Sequence, residues 1–179
     1  MALSASQQRE LIEIARSAVV ECVTGQRAPA RQPGDLPDAS GAFVTLKKRG
    51  ALRGCIGTLE CRRPLAEEIA RVAVSAARHD PRFDPVSPSE LAELDVEVSV
   101  LGPLEEIDPR DAAAIVIGTH GLVIEQGRRR GLLLPQVATE WGWSREEFLA
   151  HTCAKAGLEP DSWEKGATVY RFVADVFGD

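Results

Sequence analysis

The chain has 179 residues, of which 44% are hydrophobic and 27% are charged, and its formal net charge is -6. This acidic balance argues against general nucleic-acid binding, and the apolar runs are far shorter than the roughly 20 residues that a membrane-spanning helix needs. We therefore expect one globular domain over residues 1–179, soluble and cytoplasmic. The four cysteines form no Cys-x-x-Cys pair, so we expect free thiols, no metal site and no cofactor.

The spacing of apolar residues predicts a mixed series of helices and hairpins. In chain order, it predicts a helix over 6–23, hairpin strands over 42–47 and 51–58, helices over 64–78 and 87–94, a strand over 95–101, short strands over 115–117, 122–125 and 131–134, a helix over 144–156, and a last strand over 168–176. Residues 25–40 are rich in proline and glycine, which predicts an exposed loop; whether it acts as a lid stays open. The mixed order favours an α+β fold over a doubly wound parallel sheet.

The second strand of the hairpin carries the sequence Arg-Gly-Cys-Ile-Gly. Side chains two residues apart on a strand share a face, so Arg53 is expected beside Cys55. A guanidinium beside a thiol favours the thiolate, which would make Cys55 a nucleophile, with Gly54 and Gly57 letting a ligand approach the backbone. The alternative is an inert, half-buried Cys55, with Arg53 in a structural ion pair with Glu97 on an adjacent strand.

Other polar residues are candidates for the same site. His120, in a Gly-Thr-His-Gly turn, is the best general base, or else a turn histidine bonded to the backbone. Arg82 is a second anion-binding group if its loop lines the site, although a local salt bridge with Asp80 is the default. Gln136 either offers its amide to a ligand or caps the start of a helix.

Four surface features have simpler interpretations. Trp141 and Trp143 flank a glycine, so one can anchor the core while the other is exposed to a partner. The acidic pairs at 67–68 and 105–106 are interpreted as solvated surface, and the three arginines at 128–130 as a solvated hairpin tip.

Seven short blocks occur together and in order: Gly41-Ala42-Phe43-Val44-Thr45-Leu46, Arg53 to Thr58, Asp80-Pro81-Arg82-Phe83, Glu97-Val98-Ser99-Val100, Gly118-Thr119-His120-Gly121, Leu134-Pro135-Gln136-Val137 and Lys155-Ala156-Gly157. This set resembles the AMMECR family, which is named from a human chromosomal-region syndrome, and the match covers roughly residues 42–172. The chain departs from the family pattern near Cys153, where the family more often has a leucine-cysteine pair followed by a basic residue.

The resemblance implies a single AMMECR-type domain with a compact α+β fold. A mainly antiparallel sheet is flanked by helices, and a smaller subdomain packs against it, leaving a cleft. The resemblance brings no agreed reaction, so whether the chain is an enzyme stays open. It does imply partner proteins, because microbial members are found alongside Memo-like and radical-SAM proteins.

Two functional hypotheses follow. In the first, the cleft binds or transforms a small anionic or carbonyl-containing ligand through a reactive cysteine. The side chains expected there are Arg53, Cys55, Glu97 and His120, with Arg82 and Gln136 near the rim. In the second, the domain is a non-catalytic interaction or scaffold module for a Memo-like or radical-SAM partner.

Overall fold

A computed structural model gives the fold and describes residues 3–27 and 34–179. Its helices are α1 (Ala5–Thr24), α2 (Leu65–Arg78), a 3₁₀ helix (Pro88–Glu93), α3 (Pro135–Trp141) and α4 (Arg145–Lys155). Its strands are β1 (Gly41–Lys48), β2 (Ala51–Thr58), β3 (Leu94–Leu101), β4 (Glu105–Ile107), β5 (Gly121–Gln126), β6 (Arg129–Leu133), β7 (Thr168–Phe172) and β8 (Ala174–Gly178). Helices with antiparallel sheets confirm the predicted α+β class. The expected loop over 25–40 includes residues 28–33, which lie outside the described residues.

The chain divides into two compact units, each with its own sheet. Unit 1 comprises Met1–Leu101 with Asp175–Asp179, and unit 2 comprises Gly102–Ala174. Sheet A, in unit 1, has the strand order β2-β1-β3-β8; sheet B, in unit 2, has the order β4-β7-β5-β6. Among the helices of the described residues, none is long and apolar enough to cross a membrane.

The predicted hairpin of β1 and β2 is present, and a tight turn closes it. Arg49 and Gly50 have φ values of 54° and 79°. Positive φ at both central residues is the geometry of a type I′ turn, whose twist matches that of the flanking strands. The turn sets the pairing of Lys48 with Ala51 and of Lys47 with Leu52, and a register shift beyond these pairs brings Cys55 of β2 opposite Thr45 of β1.

The helix-facing side of sheet A forms the core of unit 1. Ala42, Val44 and Leu46 of β1 are fully buried and belong to one cluster with apolar residues of α1, α2 and β3. Because side chains alternate along a strand, Thr45 and Lys47 lie on the opposite face of the sheet. That opposite face carries the polar candidates of the site.

In unit 2, helix α4 begins where the sequence predicts. Ser144 and Glu147 form a capping box, in which the side chain of each residue accepts the backbone N–H of the other. Trp143 packs against the buried cluster of unit 2, whereas Trp141 is 71% exposed. One tryptophan thus anchors the core and the other is presented to solvent, as the sequence suggests.

The structure differs from two strand predictions. Residues 115–117 form no strand, because a turn competes for their backbone: the Val116 carbonyl accepts the N–H of Thr119 and of His120, and its N–H donates to His120 Nδ1. Residues 168–176 form two strands, β7 and β8, which belong to different sheets and are separated by Val173. A strand-like run of residues does not reveal where the chain changes sheets.

Candidate functional site

Cys55 lies in a polar row across sheet A. Thr45 is paired with Cys55 on one side and with Glu97 of β3 on the other. The Thr45 hydroxyl donates to Cys55 Sγ over 3.2 Å, and the thiol is partly exposed. The row places a hydroxyl donor and a carboxylate on the same face as the sulfur.

The backbone of Cys55 is held on its outer side by an ion pair from the loop after α2. Asp80 Oδ2 accepts the Cys55 N–H over 2.8 Å, and Arg82 Nη2 donates to the Cys55 carbonyl over 3.1 Å. Asp80 and Arg82 also bind each other through two hydrogen bonds of 2.7 and 2.9 Å. Because β2 is an edge strand, these side chains replace the pairing that a further strand would provide.

The charges of this clamp are firmly fixed. The Arg82 hydrogen bonds hold the pKa of the buried Asp80 well below its usual range, despite the opposing effect of burial, and the Cys55 N–H adds to the lowering. The pKa of Arg82 is raised, chiefly by Asp80; attraction from the side chain of Cys55 also contributes to raising it. Arg82 is therefore a cation close to the thiol.

Arg53 has a different place from the one its spacing predicts. In the β1–β2 register Leu46 opposes Gly54 and Lys47 opposes Leu52, so Arg53 is the extra residue of a β-bulge. The bulge breaks the alternation on which the expected Arg53–Cys55 proximity rests.

The partners of Arg53 are also different from the expected ones. Its Nε and Nη2 donate to the two oxygens of Glu90, and its Nη1 donates to the Asp84 carbonyl, at 2.9 to 3.0 Å. The predicted ion pair with Glu97 is wrong, since Glu97 instead accepts from Lys47 Nζ over 2.8 Å. All three guanidinium nitrogens of Arg53 are thus occupied by structural contacts.

Gly54 and Gly57 are required by the protein's own packing. A Cβ on Gly54 would lie 2.3 Å from the Ala76 carbonyl oxygen of α2, and one on Gly57 would lie 2.1 Å from the Phe43 ring. Protein atoms occupy both spaces, so the prediction that these glycines leave room there for a ligand is wrong. They let α2 and Phe43 pack directly on β2.

The remaining predicted site residues belong to unit 2. His120 Nδ1 accepts the Val116 N–H, which is the turn-histidine alternative. Burial, with a smaller effect of Arg171, lowers the pKa of His120 and so keeps its imidazole neutral. Gln136 is in the first turn of α3, whose start has no side-chain cap, so Gln136 does not cap the helix.

The four cysteines differ in their surroundings, although all are free thiols. Burial raises the pKa of Cys61 to about 11, with Glu68 adding to the effect, and burial also raises the pKa of Cys153. In the described part of the chain, no group of three or more His, Cys, Asp or Glu residues could hold a metal ion.

Sequence reasoning missed two residues that contact the candidate site residues. Thr45 gave no signal, because a threonine in a strand is ordinary and its register with Cys55 becomes visible only in the paired hairpin. Glu90 was recognised only as a capping residue for the short helix; it does cap Ser87, but it also binds Arg53 and Lys48.

The family model of AMMECR1 matches residues 12–177, which is most of both units. The chain belongs to the AMMECR1 family.

Relatives and a solved structure support this placement in the AMMECR1 family. A protein of Methanothermobacter thermautotrophicus is 51% identical, and the match covers 98% of this chain and 95% of that protein. Protein TK0174 of Thermococcus kodakarensis is 49% identical, over 93% of this chain and 87% of that one. The crystal structure of uncharacterized protein PH0010 from Pyrococcus horikoshii superposes with a TM-score of 0.84 at 42% identity, covering 99% and 93% of the two chains.

Proposed function

We propose that this AMMECR1-family chain binds a small anionic, carbonyl-containing ligand through Cys55, with Arg82 as the anion-binding group. One observation carries the proposal. Arg82 is locked beside Cys55 by Asp80 through its Nε and Nη2, while its Nη1 donates to no acceptor within the described residues. An arginine held rigidly with one donor unused is arranged to bind a carboxylate.

The chemistry needs no co-reactant. The Cys55 sulfur adds to the carbonyl carbon, so that an S–C bond forms and the π electron pair of the C=O bond moves to oxygen. The proton that leaves the sulfur ends on that oxygen, giving a hemithioacetal. Thr45 supports the step by holding a hydroxyl donor on the sulfur, and Glu97 and Lys47 supply further polar groups on the same face.

Arg53 has a supporting role in this proposal. Since Glu90 and Asp84 occupy its guanidinium, it fixes the bulge of β2 and does not touch the ligand. His120 and Gln136 belong to unit 2 and have no step in the proposed chemistry of Cys55.

Alkylation rates test the nucleophile. We expect iodoacetamide to modify Cys55 faster than Cys61, whose raised pKa of about 11 makes it an internal reference, as measured by peptide mass spectrometry. Arg82→Gln is expected to slow modification of Cys55 about threefold to tenfold, because a cation held close to the nucleophile is lost. Arg53→Ala is the matched control, and its Cys55 rate should change less.

Ligand binding is tested with a defined probe. Glyoxylate labelled with ¹³C at its aldehyde carbon should show a saturable hemithioacetal signal in NMR with the wild type. The signal should be absent with Cys55→Ser, and Arg82→Gln should weaken binding about tenfold, whereas binding of neutral acetaldehyde should not depend on Arg82. Equal alkylation rates in wild type and Arg82→Gln, or no glyoxylate signal, would contradict the proposal.

A second function is favoured by a separate observation in unit 2. The 71% exposed Trp141 stacks on Trp143 with ring centroids 6.1 Å apart, and Trp143 stacks on His151 at 3.9 Å. A rigid exposed aromatic ring suits protein docking. We propose the scaffold role on this surface, with a Memo-like or radical-SAM protein as partner.

One binding experiment distinguishes the two proposed functions. Purified candidate partners are passed over immobilised wild type, Trp141→Ala and Cys55→Ser. A scaffold should lose its partner with Trp141→Ala and keep it with Cys55→Ser. Retention by Trp141→Ala would remove this surface from consideration.

A further inference from the structure

A polar cavity in unit 1 lies away from the Cys55 sulfur. It has a volume of about 420 Å³, within the range of small-ligand sites. Its lining consists of Thr58, Glu60, Arg62, Arg63, Glu68 and Arg71. Thr58 is three residues beyond Cys55 on the same strand, so the two side chains leave opposite faces of β2.

Glu68 organises the cavity, and the expectation that it is solvated surface is wrong. Its side chain is 2% exposed, with Oε1 accepting from Arg63 Nη1 and Oε2 accepting from Arg71 Nε over 2.8 Å. Burial alone would raise the pKa of Glu68, but the bonds and charges of Arg71 and Arg63 outweigh burial and lower it. A charged, buried carboxylate thus orients two guanidinium groups.

Glu68 does not use all the N–H donors of these two guanidinium groups. Among the described residues, Arg63 donates through Nη1 alone, and both side chains are about half exposed, so further N–H groups of each can face the cavity. Arg62 adds a third guanidinium, whose one partner in the described part of the chain is the exposed Glu60. Such exposed pairs contribute little, so an incoming anion can replace Glu60 as the partner of Arg62.

The charge of the lining also favours an anion. Three arginines and two glutamates leave one positive charge in excess, on a chain whose formal net charge is -6. This local positive excess favours binding of a negatively charged group.

We propose that this cavity is a second binding site, for a phosphate-bearing small molecule. A phosphate group has several acceptor oxygens, and arginine forks bind it in a bidentate manner. Arg63 and Arg71, preset by Glu68, form the floor of the site. Arg62 turns from Glu60 to close on the ligand.

Titration with inorganic pyrophosphate at constant ionic strength tests the site, with the full chain in an isothermal calorimeter. We expect saturable binding, weakened about tenfold by Arg62→Gln because one charge-assisted contact is lost. The partner of Arg62 within the described residues, Glu60, is exposed, so this variant should keep the wild-type unfolding midpoint. Arg128→Gln, an equal charge change at an exposed arginine of the β5–β6 turn, should leave binding unchanged.

The outcomes are decisive for this site alone. Absence of saturable heat at millimolar pyrophosphate, or equal affinity in wild type and Arg62→Gln, would mean that the arginines are a structural network only. Equal affinity for citrate would overturn the assignment to phosphate. Cys55→Ser should bind pyrophosphate like the wild type, so failure of the Cys55 proposal leaves this one intact.

Discussion

Asp80 accepts the backbone N–H of Cys55 over 2.8 Å while also binding Arg82, which returns a hydrogen bond to the carbonyl of the same cysteine. Two side chains separated by a single residue thus bind both backbone groups of one residue of an edge strand. The local salt bridge between Asp80 and Arg82, expected from their spacing, is confirmed. Because both side chains also bind the backbone of Cys55, the salt bridge in addition holds that residue in place. Backbone position at Cys55 depends on a loop that follows α2.

Replacing Asp80 with asparagine should destabilise the protein by about 2 kcal/mol. Asparagine keeps one acceptor oxygen but loses the charge that Arg82 binds, and hydrogen bonds to charged groups contribute about 1.5–3 kcal/mol. Urea unfolding followed by circular dichroism measures the change. Asp84→Asn is the control, because only the backbone carbonyl of Asp84 binds Arg53. Equal midpoints for both variants would contradict the clamp.

Lowering the pH should reduce the stability of unit 1. The pKa values of Asp80 and Glu90 are both lowered in the folded state, chiefly by hydrogen bonds from Arg82 and Arg53. The unfolded chain therefore binds protons first, and the stability that these groups add above about pH 4 is lost progressively below it, as the pH falls toward their folded values. Urea midpoints between pH 7 and 3 should fall more steeply in wild type than in Asp80→Asn. Parallel curves would contradict this linkage.

Glu90→Gln should cost more than Glu97→Gln. The side chains of Glu90 and Arg53 are only 16% and 14% exposed and share two hydrogen bonds, so loss of the charge should cost about 2 kcal/mol. Glu97 binds a more exposed lysine, Lys47, a kind of pair that contributes about 0–1 kcal/mol. Thermal and urea unfolding of the two variants gives the ranking. A larger loss in Glu97→Gln would restore the ion-pair arrangement expected from sequence.

The periodicity of apolar residues and the capping residues are local signals, so the sequence predicted the α+β class, the hairpin and the main helices. The capping box of Ser87 and Glu90, for example, is visible in four residues and is present. The site was only partly predictable. Of the predicted site residues, Arg82 does contact Cys55, whereas Arg53, expected beside Cys55, binds Glu90 instead.

The reason is a single extra residue in β2. Alternation along a strand assumes regular pairing, and the bulge at Arg53 is defined by its partner strand, which the motif itself does not contain. Similarly, Glu68 reads as a surface residue in the sequence, since only tertiary packing brings Arg63 and Arg71 to its two oxygens. Both predictions were wrong for the same reason: the partners that determine the contacts of Arg53 and Glu68 are not visible in the local sequence.

Gly54→Ala should destabilise unit 1, because the motif glycine is where α2 meets β2. The added Cβ would lie 2.3 Å from the Ala76 carbonyl oxygen, a backbone atom that cannot rotate away. Forcing the helix and strand apart in a packed core costs about 1–3 kcal/mol. Gly102→Ala serves as the control, since its nearest contact would be 3.3 Å, and should cost less.

The same variant links packing to the thiol. Moving β2 away from α2 also shifts the Cys55 peptide relative to Asp80, so iodoacetamide modification of Cys55 should change in Gly54→Ala but not in Gly102→Ala. Unfolding midpoints and alkylation rates are measured on the same samples, below the unfolding transition. If Gly54→Ala is as stable as Gly102→Ala, the close approach of strand and helix does not explain the glycine; if it is less stable with an unaltered Cys55 rate, the clamp holds the thiol independently of α2.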